Sequence, residues 1–385
     1  ELAEVHPAEH VDGVLADIRQ VSESPSPLPP DPDRAVAIVF TSGTTGMPKG
    51  AVFGNRQLQA ITAADVGDVW GGGGRTMAGT SFAHLGFMTK LAGALRSGGT
   101  TFLINRWHAT DALELTERHR LTNIGGIPTQ IALMLQAPAF HTRDHSSVRL
   151  IVMGGGPATA ALVRAARAGF GTPVSVRYSC TEAGIGLGTA PDDPDEDAEV
   201  SVGRARTGIE LTVRDDEGRS AAPGQVGEVC LRSAAVMSGY HRDPDATRAA
   251  FTIDGAVRTG DLGWVDDRAR LRLVGRTKDM YVRGGYNVYP MEVEGVLAEH
   301  PGVAEVAVVP RPDAVMGEIG VAVVVPREPR RGPELAELRA FAAPRLAAYK
   351  LPEALDVVDA LPRTPMEKVD RGALQQTLER ANELG

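Results

Sequence analysis

The chain contains 385 residues, 43% of them hydrophobic and 23% charged, which is typical of a globular protein of about two or three domains. Asp and Glu number 49 against 40 Lys and Arg, and the net charge of −9 argues against a nucleic-acid-binding protein, in which positive charge accumulates. The two cysteines, Cys180 and Cys230, have no metal-ligand spacing and indicate no disulfide framework. No apolar run is long enough to span a membrane, and no signal peptide is visible. We therefore expect a cytoplasmic protein.

The N-terminal region begins with apolar residues between positions 11 and 18 whose spacing is compatible with a short helix. A Ser- and Pro-rich stretch at residues 22–32 follows and predicts a surface linker. The apolar, strand-forming run at residues 35–40 then predicts a buried strand.

The stretch after this strand reads Thr41-Ser42-Gly43-Thr44-Thr45-Gly46-Met47-Pro48-Lys49-Gly50. Glycines let the backbone approach a polyanion, hydroxyls donate hydrogen bonds and Lys49 supplies a positive charge, so the stretch predicts a phosphate-binding loop. It is not a Walker motif, because Pro48 precedes the lysine and Gly50 follows it. A flexible Gly/Thr surface loop is the alternative, but it gives no reason for a Pro-Lys-Gly ending next to a strand.

Helical and strand patterns alternate beyond this loop, after a helix-breaking glycine run at residues 71–74. The predicted helices cover residues 57–69, 109–118 and 129–135, and the predicted strands cover residues 101–104 and 122–126. This alternation predicts a layered α/β domain with parallel strands. His84 lies among aromatic residues here, and a lone histidine of this kind is more often packed than catalytic.

Two later strands end in groups that could contact a ligand. The strand at residues 150–153 runs into Gly154, Gly155 and Gly156 before a helix at residues 160–168, which by itself is weak evidence for a site at the carboxyl end of a strand. The strand at residues 174–176 ends at Tyr178-Ser179-Cys180-Thr181-Glu182. An aromatic ring can stack on a base, a hydroxyl can bond a phosphate and a carboxylate can hold Mg²⁺, although ordinary surface polar residues explain this stretch about equally well.

The region after residue 190 changes in character. Residues 192–199 are acidic and broken by proline, and they predict a solvated loop without chemistry. Strands at residues 210–213, 227–232 and 271–274 predict a β-rich subdomain. Between them, Asp261 in a tight glycine-flanked turn could accept both hydroxyls of a ribose, although Thr-Gly-Asp is equally consistent with a plain turn.

The composition shifts again near Lys278. Helices at residues 292–299 and 334–342 and strands at residues 303–309, 319–325 and 354–358 predict a compact α+β module of about 105 residues. The predicted domains are therefore residues 1–277 and 278–385. A proline-containing segment at residues 362–371 could deliver Lys368 to a site on the other domain, or could be an exposed loop.

The order of these motifs resembles that of the adenylate-forming superfamily of acyl-CoA synthetases, adenylation domains of peptide synthetases and luciferases. Residues 41–50 match its Thr-Ser-Gly-Thr-Thr-Gly-x-Pro-Lys-Gly signature, and residues 82–84 are similar to its aromatic-His motif with Ala83 interposed. Residues 178–182 resemble its Tyr-Gly-x-Thr-Glu motif, departing at Ser179.

The later motifs of the superfamily also have counterparts. Residues 227–229 resemble its Gly-Glu-Leu core, residues 259–261 its Thr-Gly-Asp motif, and the hinge motif begins at Gly275. Pro362 and Lys368 match its final motif, with Glu367 where glycine is usual.

The resemblance implies an α/β fold, with a large layered N-terminal domain that contains a β-rich subdomain and a small, mobile α+β C-terminal domain. It implies an ATP-dependent acyl-CoA synthetase, an acid-thiol ligase that uses ATP, Mg²⁺ and CoA and takes a small-molecule carboxylic acid as its other substrate. The cofactor-binding residues that it implies are Thr41, Ser42, Gly43, Thr44, Thr45, Lys49, Gly154, Gly155, Gly156, Tyr178, Asp261, Arg276, Lys278, Gly284 and Gly285.

The resemblance also implies individual roles. Adenine would stack on Tyr178, and the ribose would bind Asp261. Thr181 would touch the α-phosphate and Glu182 would hold Mg²⁺, while Lys368 would catalyse adenylation. The small domain would then swing about Lys278 and bring the strand containing Gly284 and Gly285 to the site. His84 would form part of the wall between the acyl pocket and the thiol tunnel. The resemblance also implies that the pocket is lined by His84, Gly125, Gly126, Ile127 and the Gly154 region, which suggests an apolar acid without fixing its size.

Two departures leave alternatives open. Glu367 adds an anion beside the lysine, and in the extreme case only the thioester-forming half-reaction would remain. Only 40 residues precede the phosphate loop, fewer than is usual in the superfamily, which fits a trimmed form, a natural short version or a core completed by a partner chain. A stand-alone enzyme that loads a carrier protein and a weakened nucleotide-binding regulatory protein are the other functions that fit.

Overall fold

The computed structural model describes residues 28–41, 48–68, 70–78, 83–104, 106–328, 331–364 and 369–383. These residues form a large N-terminal α/β domain with three sheets and a small C-terminal α+β domain with one sheet. No helix within these ranges is long and apolar enough to cross a membrane.

The strands, in chain order, are β1 (Ala35–Phe40), β2 (Gly50–Gly54), β3 (Arg75–Ala78), β4 (Thr100–Leu103), β5 (Asn123–Gly126), β6 (Leu150–Gly154), β7 (Val174–Tyr178), β8 (Leu187–Gly188), β9 (Arg204–Ala205), β10 (Glu210–Arg214), β11 (Gly227–Arg232), β12 (Gly239–Tyr240), β13 (Val257–Val265), β14 (Leu271–Arg276), β15 (Tyr281–Arg283), β16 (Tyr286–Val288), β17 (Val303–Asp313), β18 (Gly317–Pro326) and β19 (Ala354–Val357).

The helices, in chain order, are α1 (Asn55–Val66), α2 (Leu85–Met88), α3 (Leu91–Ser97), α4 (Ala109–His119), α5 (Pro128–Gln136), α6 (Ala160–Phe170), α7 (Asp195–Val200), α8 (Pro244–Ala250), α9 (Pro290–Leu297), α10 (Leu335–Ala342) and α11 (Arg371–Glu383). Short 3₁₀ turns occupy Pro138–His141 and Ala348–Lys350.

A seven-stranded sheet organises the large domain. Its order is β4-β3-β5-β6-β7-β8-β9, and the first five of these strands are parallel. Helices α4, α5 and α6 cover one face, and the side chains between them and the sheet form a core that includes Ile124, Ile151, Met153, Val174 and Val176. The layered α/β prediction is confirmed, and the carboxyl ends of the parallel strands are the edge where such sheets bind ligands.

A three-stranded antiparallel sheet, ordered β1-β2-β12, carries the predicted phosphate loop between β1 and β2. The expectation that β1 is a buried strand is wrong for one of its faces. Ala37 and Val39 are buried, whereas Val36, Ile38 and Phe40 are 53%, 40% and 61% exposed. Because successive side chains of a strand point to opposite faces, only alternate residues of this edge strand reach the core.

The acidic segment at residues 192–199 is also not a solvated loop throughout. Helix α7 forms there, and Asp197 is fully buried. Its Oδ1 accepts a hydrogen bond from Arg270 Nη1 at 2.6 Å, and Arg270 Nε donates to Asp266 Oδ2 at 2.8 Å. The acidic composition therefore reflects a buried ion network as well as solvent exposure, which a local sequence pattern does not reveal.

The same network perturbs one of its carboxylates. Burial alone would raise the pKa of Asp266, but hydrogen bonds from the Arg270 backbone and guanidinium and from Arg272 lower this pKa to about 2. The carboxylate is consequently ionised at neutral pH, as a partner of the buried Arg270 must be.

The antiparallel sheet β10-β11-β13-β14 completes the large domain and confirms the β-rich subdomain. In the small domain the strand order is β16-β15-β18-β17, and β19 pairs in parallel with β18. Helices α9 and α10 pack on this sheet around Tyr281, Val293, Leu297 and Leu338. The α+β module predicted for the C-terminal part is therefore present.

Candidate active site

Each of the three sheets of the large domain carries or adjoins a predicted nucleotide-binding residue, and the three sheets share one hydrophobic core. Tyr178 ends β7 of the seven-stranded sheet, Asp261 lies on β13 of the four-stranded sheet, and Lys49 immediately precedes β2 of the three-stranded sheet. Thr181 and Glu182 follow β7 directly and are both partly buried.

The first group in this site links an aromatic ring, a carboxylate and a guanidinium. The hydroxyl of Tyr178 donates to Asp261 Oδ2 at 2.7 Å, and Arg276 Nε donates to Asp261 Oδ1 at 3.0 Å. Asp261 is 7% exposed. Each oxygen of the Asp261 carboxylate thus accepts one hydrogen bond and can accept a second. The two oxygens together could therefore still accept hydrogen bonds from two hydroxyl groups.

Ionisation in this group follows from its burial. Burial raises the pKa of Asp261, and the Arg276 charge only partly offsets this effect. Burial and the nearby Asp261 carboxylate also raise the pKa of Tyr178 well above its usual range. The phenol therefore stays protonated and acts as the donor to Asp261.

The position of Asp261 differs from the sequence prediction. Asp261 lies inside strand β13, paired with Arg276 of β14, rather than in a tight turn. Gly260 has a φ of +70°, and the register of β13 with β11 shifts across this segment, between the pairs Glu228–Leu262 and Cys230–Arg258. The glycine thus produces a local irregularity in a continuous strand, which a turn-like motif does not distinguish from a turn.

The second group contains a residue that sequence reasoning missed. The hydroxyl of Tyr240 donates to Glu182 Oε1 at 2.5 Å, and the ammonium of Lys49 lies 5.0 Å from the centroid of the Tyr240 ring. Burial, followed by the hydrogen bond to Glu182, raises the pKa of Tyr240 above its usual range, so the phenol remains a donor. The Gly239-Tyr240 dipeptide was visible in the sequence, but its pairing with Ala51 of β2 is a long-range contact.

The base of the phosphate loop is closed by two hydrogen bonds. The Thr41 N–H donates to the Lys49 carbonyl at 2.9 Å, and the Lys49 N–H donates to Thr41 Oγ1 at 3.1 Å. A surface cavity of about 350 Å³ adjoins Lys49 and is lined by Phe40, Pro48, Lys49, Gly50, Tyr240, His241 and Asp243. The predicted phosphate-binding residues Ser42, Gly43, Thr44 and Thr45 lie outside the described residues.

The three predicted glycines lie at the end of β6, with Gly154 as its last residue and Gly155 and Gly156 directly after it. Gly155 has a φ of +77°, in the left-handed region that favours glycine. A Cβ on Gly155 would lie 3.4 Å from Ile127 Cγ2, and one on Gly156 would lie 3.5 Å from Pro128 Cδ. Gly155 and Gly156 therefore pack against the start of α5, whereas Gly154 lies against Arg177 of the neighbouring strand β7.

His84 has a local structural role that the sequence did not reveal. It is the N-cap residue of α2, and its Nδ1 accepts the Gly86 N–H at 3.1 Å. The ring is therefore oriented by the helix start, with Nδ1 in its unprotonated form. Phe82, the aromatic partner in the predicted motif, lies outside the described residues.

The remaining predicted residues belong to the segment after β14. Lys278 lies in the turn between β14 and β15. Gly284 and Gly285 were expected to lie in a strand, and this expectation is wrong. They form the tight turn between β15 and β16, with φ values of +54° and +85°. Two successive positive φ values are typical of a two-residue hairpin turn, which explains the glycine pair. Lys368 and Glu367 lie outside the described residues.

Glu182 is suited to a magnesium ion that is bound mainly by phosphates. No group of three or more His, Cys, Asp or Glu residues in the described ranges could hold a metal by itself. Mg²⁺ in nucleotide sites typically takes one or two carboxylates and completes its shell with phosphate oxygens and water. A single carboxylate oriented by the Tyr240 hydroxyl fits that requirement.

Comparisons with known protein families match both parts of the chain. The family model described as AMP-binding enzyme matches residues 3–241, and the model described as AMP-binding enzyme C-terminal domain matches residues 292–368. The second match falls within the small domain.

Similar proteins and structures cover most of this chain. A fatty acid–[acyl-carrier-protein] ligase, ScoC, of Streptomyces coeruleorubidus is 35% identical over 359 residues, which are 91% of this chain and 69% of the relative. A sulfoacetate–CoA ligase of Cupriavidus necator is 36% identical and covers 91% and 68%, respectively. The crystal structure of ATP-bound MatB from Rhodopseudomonas palustris has a TM-score of 0.86 at 30% identity and covers 95% and 72%. The chain thus spans about two thirds of the length of these two curated relatives.

Proposed function

The chain belongs to the family of AMP-binding enzymes, and we propose that it is an ATP-dependent acyl-CoA synthetase. It would join a carboxylic acid to AMP with release of pyrophosphate, and then transfer the acyl group to the thiol of CoA. The observation that carries this proposal is the pairing of two carboxylates with two tyrosines at one end of the parallel sheet, Asp261 with Tyr178 and Glu182 with Tyr240.

The first pair would bind the nucleoside of ATP. The Tyr178 hydroxyl bond to Asp261 fixes the ring next to the carboxylate, which allows the base to stack on the ring while the ribose hydroxyls bond the carboxylate. The Arg276 guanidinium opposes the effect of burial on Asp261 and favours its ionised form, which is the stronger acceptor. Gly154, Gly155 and Gly156 would let the base pass close to the backbone.

The second pair would act on the phosphates. Lys49, Thr41 and the hydroxyls of Ser42, Thr44 and Thr45 would bind the β- and γ-phosphates, and Thr181 would donate to the α-phosphate. Glu182, held by the Tyr240 hydroxyl, would bind Mg²⁺, which supplies positive charge to the phosphate oxygens.

Adenylation would follow from positioning and charge neutralisation. A carboxylate oxygen of the acid attacks the α-phosphorus, and the bond from this phosphorus to the bridging oxygen breaks as pyrophosphate leaves. Both reactants are anions, so a positive charge at the point of attack lowers the barrier. Lys368 is the residue proposed for that role.

The second step would use a different arrangement of the domains, with residues 278–385 moving relative to residues 1–277 about Lys278. The turn of Gly284 and Gly285 would then approach the site beside His84. The thiol sulfur, after losing its proton to solvent, attacks the carbonyl carbon, and the bond to the AMP oxygen breaks. The products are a thioester and AMP.

A carrier protein is the alternative thiol acceptor. The relative from Streptomyces coeruleorubidus is named a fatty acid–[acyl-carrier-protein] ligase, whereas the relative from Cupriavidus necator is named a CoA ligase. Both acceptors present a thiol, so the chemistry of the first step is the same for either one.

The test is acid-dependent exchange of labelled pyrophosphate into ATP across a panel of carboxylic acids, followed by mass spectrometry with CoA or carrier protein. We expect exchange with at least one acid and an acyl-CoA product. Glu182→Gln should abolish the exchange, and Glu217→Gln, a change in an exposed turn, is the matched control. Absence of exchange with every acid, together with no thioester from supplied acyl-adenylates, would refute the enzyme function.

A further inference from the structure

Two cations contact a single carboxylate, that of Asp65, and the guanidinium of Arg177 on β7 extends over the neighbouring strand β8. Lys90 Nζ lies 3.1 Å and Arg206 Nη1 lies 3.2 Å from the same oxygen of Asp65, Oδ1. The charge of Asp65 also interacts electrostatically with the Arg177 guanidinium and by itself would raise the pKa of Arg177. We refer to Lys90, Arg177, Arg206 and Asp65 as the cationic cluster. Its formal charge is +2, because three cations face one anion.

Asp65 is fully committed to two of these cations. Burial alone would raise its pKa, but Lys90 and Arg206 outweigh burial and lower this pKa, so the carboxylate is ionised. Its side chain is 23% exposed, and those of Lys90 and Arg206 are 36% and 22% exposed. The charge of Asp65 is therefore already neutralised without Arg177.

Arg177 has no contacting counterion among the residues that the structure describes. Its guanidinium makes no hydrogen bond and no ion pair with any described residue, although the residue is partly buried. Burial, and then repulsion by Arg206, lower its pKa, but a guanidinium remains charged at neutral pH. A partly buried positive charge without a partner is unfavourable, and an anion placed beside it would remove that cost.

The backbone around Arg177 leaves room for its extended side chain. A Cβ on Gly188 would lie 2.5 Å from Arg177 Nη1, so a larger residue at that position on β8 would displace the guanidinium. Arg177 pairs with Gly188 across β7 and β8. The side chain thus lies over the neighbouring strand, in the direction of Arg206 and Asp65.

The cluster adjoins the surface where the acid would bind. Arg177 immediately precedes Tyr178, and it is paired with Gly154 of β6. Because side chains alternate along a strand, Gly125, Gly154 and Arg177 lie on the sheet face opposite the core beneath α4, α5 and α6. A Cβ on Gly125 would meet no atom of a described residue within 4 Å, so the described part of the chain leaves space beside Gly125 on this face.

We propose that the cationic cluster binds a second anionic group of the acid substrate, with Arg177 as its main contact. This proposal rests on the proposed function and specifies its substrate class as acids that carry a carboxylate or sulfonate remote from the reacting carboxylate. A guanidinium fork binds either anion through two parallel N–H bonds. An acid with an apolar end, which the pocket glycines had suggested, would leave Arg177 unneutralised.

The test is equilibrium binding of matched acid pairs to the protein saturated with a non-hydrolysable ATP analogue. Each pair has one straight-chain monocarboxylic acid and the α,ω-dicarboxylic or ω-sulfo acid of equal length, and titration calorimetry gives both dissociation constants. We expect the wild type to bind the dianionic member of at least one pair about 10- to 150-fold more tightly, the range for a hydrogen-bonded charge. Arg177→Gln should bring the members of that pair within about twofold, whereas Arg177→Lys should retain part of the preference.

Arg164→Gln is the control, since Arg164 is a half-exposed arginine on α6 paired with Glu199. Equal binding of both members of every pair by the wild type overturns the anion site, and so does a preference that survives Arg177→Gln. Pyrophosphate exchange with the same acids separates this proposal from the enzyme function. Exchange with monocarboxylic acids alone would support adenylation and refute the anion site. Tighter binding of the dianionic acids without any exchange would support the anion site and count against adenylation.

Discussion

Asp261→Asn should weaken ATP binding through the ribose, while the variant remains folded. Asp261 Oδ1 takes Arg276 Nε at 3.0 Å and Oδ2 takes the Tyr178 hydroxyl at 2.7 Å, which leaves one acceptor position on each oxygen for a ribose hydroxyl. In asparagine, the oxygen has to face the Arg276 cation. The amide NH₂ then faces Tyr178, whose hydroxyl can accept instead of donate, and one ribose hydroxyl loses its acceptor.

The size of the effect follows from that single lost interaction. A hydrogen bond to a charged group contributes about 1.5–3 kcal/mol, which corresponds to about 10- to 150-fold in affinity. The lost ion pair should cost little stability, because the Arg276 side chain is 53% exposed and solvent screens such a pair.

The assay compares two nucleotides in two proteins. Titration calorimetry gives the affinities of ATP and 2′,3′-dideoxy-ATP for the wild type and for Asp261→Asn, with Asp245→Asn on the exposed side of α8 as the control. We expect the wild type to prefer ATP and Asp261→Asn to lose most of that preference. Equal weakening of both nucleotides by the substitution would refute a ribose contact and would indicate that Asp261 acts by orienting Tyr178.

Four further predictions concern the second site group, the C-terminal lysine and, in two cases, the buried ion network. Tyr240→Phe keeps the aromatic ring beside Lys49 but removes the hydroxyl that donates to Glu182. The Mg²⁺ concentration needed for half-maximal ATP binding should therefore rise about tenfold, whereas ATP binding without Mg²⁺ should stay unchanged. An unaltered Mg²⁺ dependence would contradict this role of Tyr240. Lys368→Ala should abolish adenylation but spare thioester formation from a supplied acyl-adenylate, and equal loss of both reactions would argue against the domain movement. Arg270→Met leaves two buried carboxylates without their shared cation and should lower the free energy of unfolding in urea by about 3–5 kcal/mol, against little change for the exposed Arg268→Met. Because the folded pKa of Asp266 is depressed to about 2, its stabilising contribution should persist above pH 4 and disappear as the pH falls towards 2, so Asp266→Asn should flatten the acid limb of the stability profile; an unchanged limb would refute it.

The sequence predicted those elements whose signals are local. The Gly154–Gly156 turn, the strand before Tyr178 and the parallel alternation of the large domain follow from periodicity, glycine and proline over short stretches. Tyr178 and Asp261 could be assigned to one site from the order of motifs, and the structure brings them to 2.7 Å. Their individual roles towards a nucleotide stay predictions.

The features that the sequence did not predict depend on contacts between distant residues. Tyr240 reaches Glu182 across 58 positions and Arg270 reaches Asp197 across 73, and neither pair has a local signature. Asp197 was predicted to be exposed to solvent because the residues around it in the sequence are acidic. A single arginine at the end of a strand, such as Arg177, predicts no function by its composition alone. Both gain their meaning only from the charges that the fold places beside them.

The most direct test of the account follows the oxygen atoms of the acid. A carboxylic acid labelled with ¹⁸O in its carboxylate is turned over with ATP and a thiol, and the phosphorus products are examined by mass spectrometry. Attack on the α-phosphorus predicts one ¹⁸O in each AMP formed, because the bridging oxygen stays with AMP when the thiol takes the acyl group. Label in inorganic phosphate, with ADP as the nucleotide product, would contradict it.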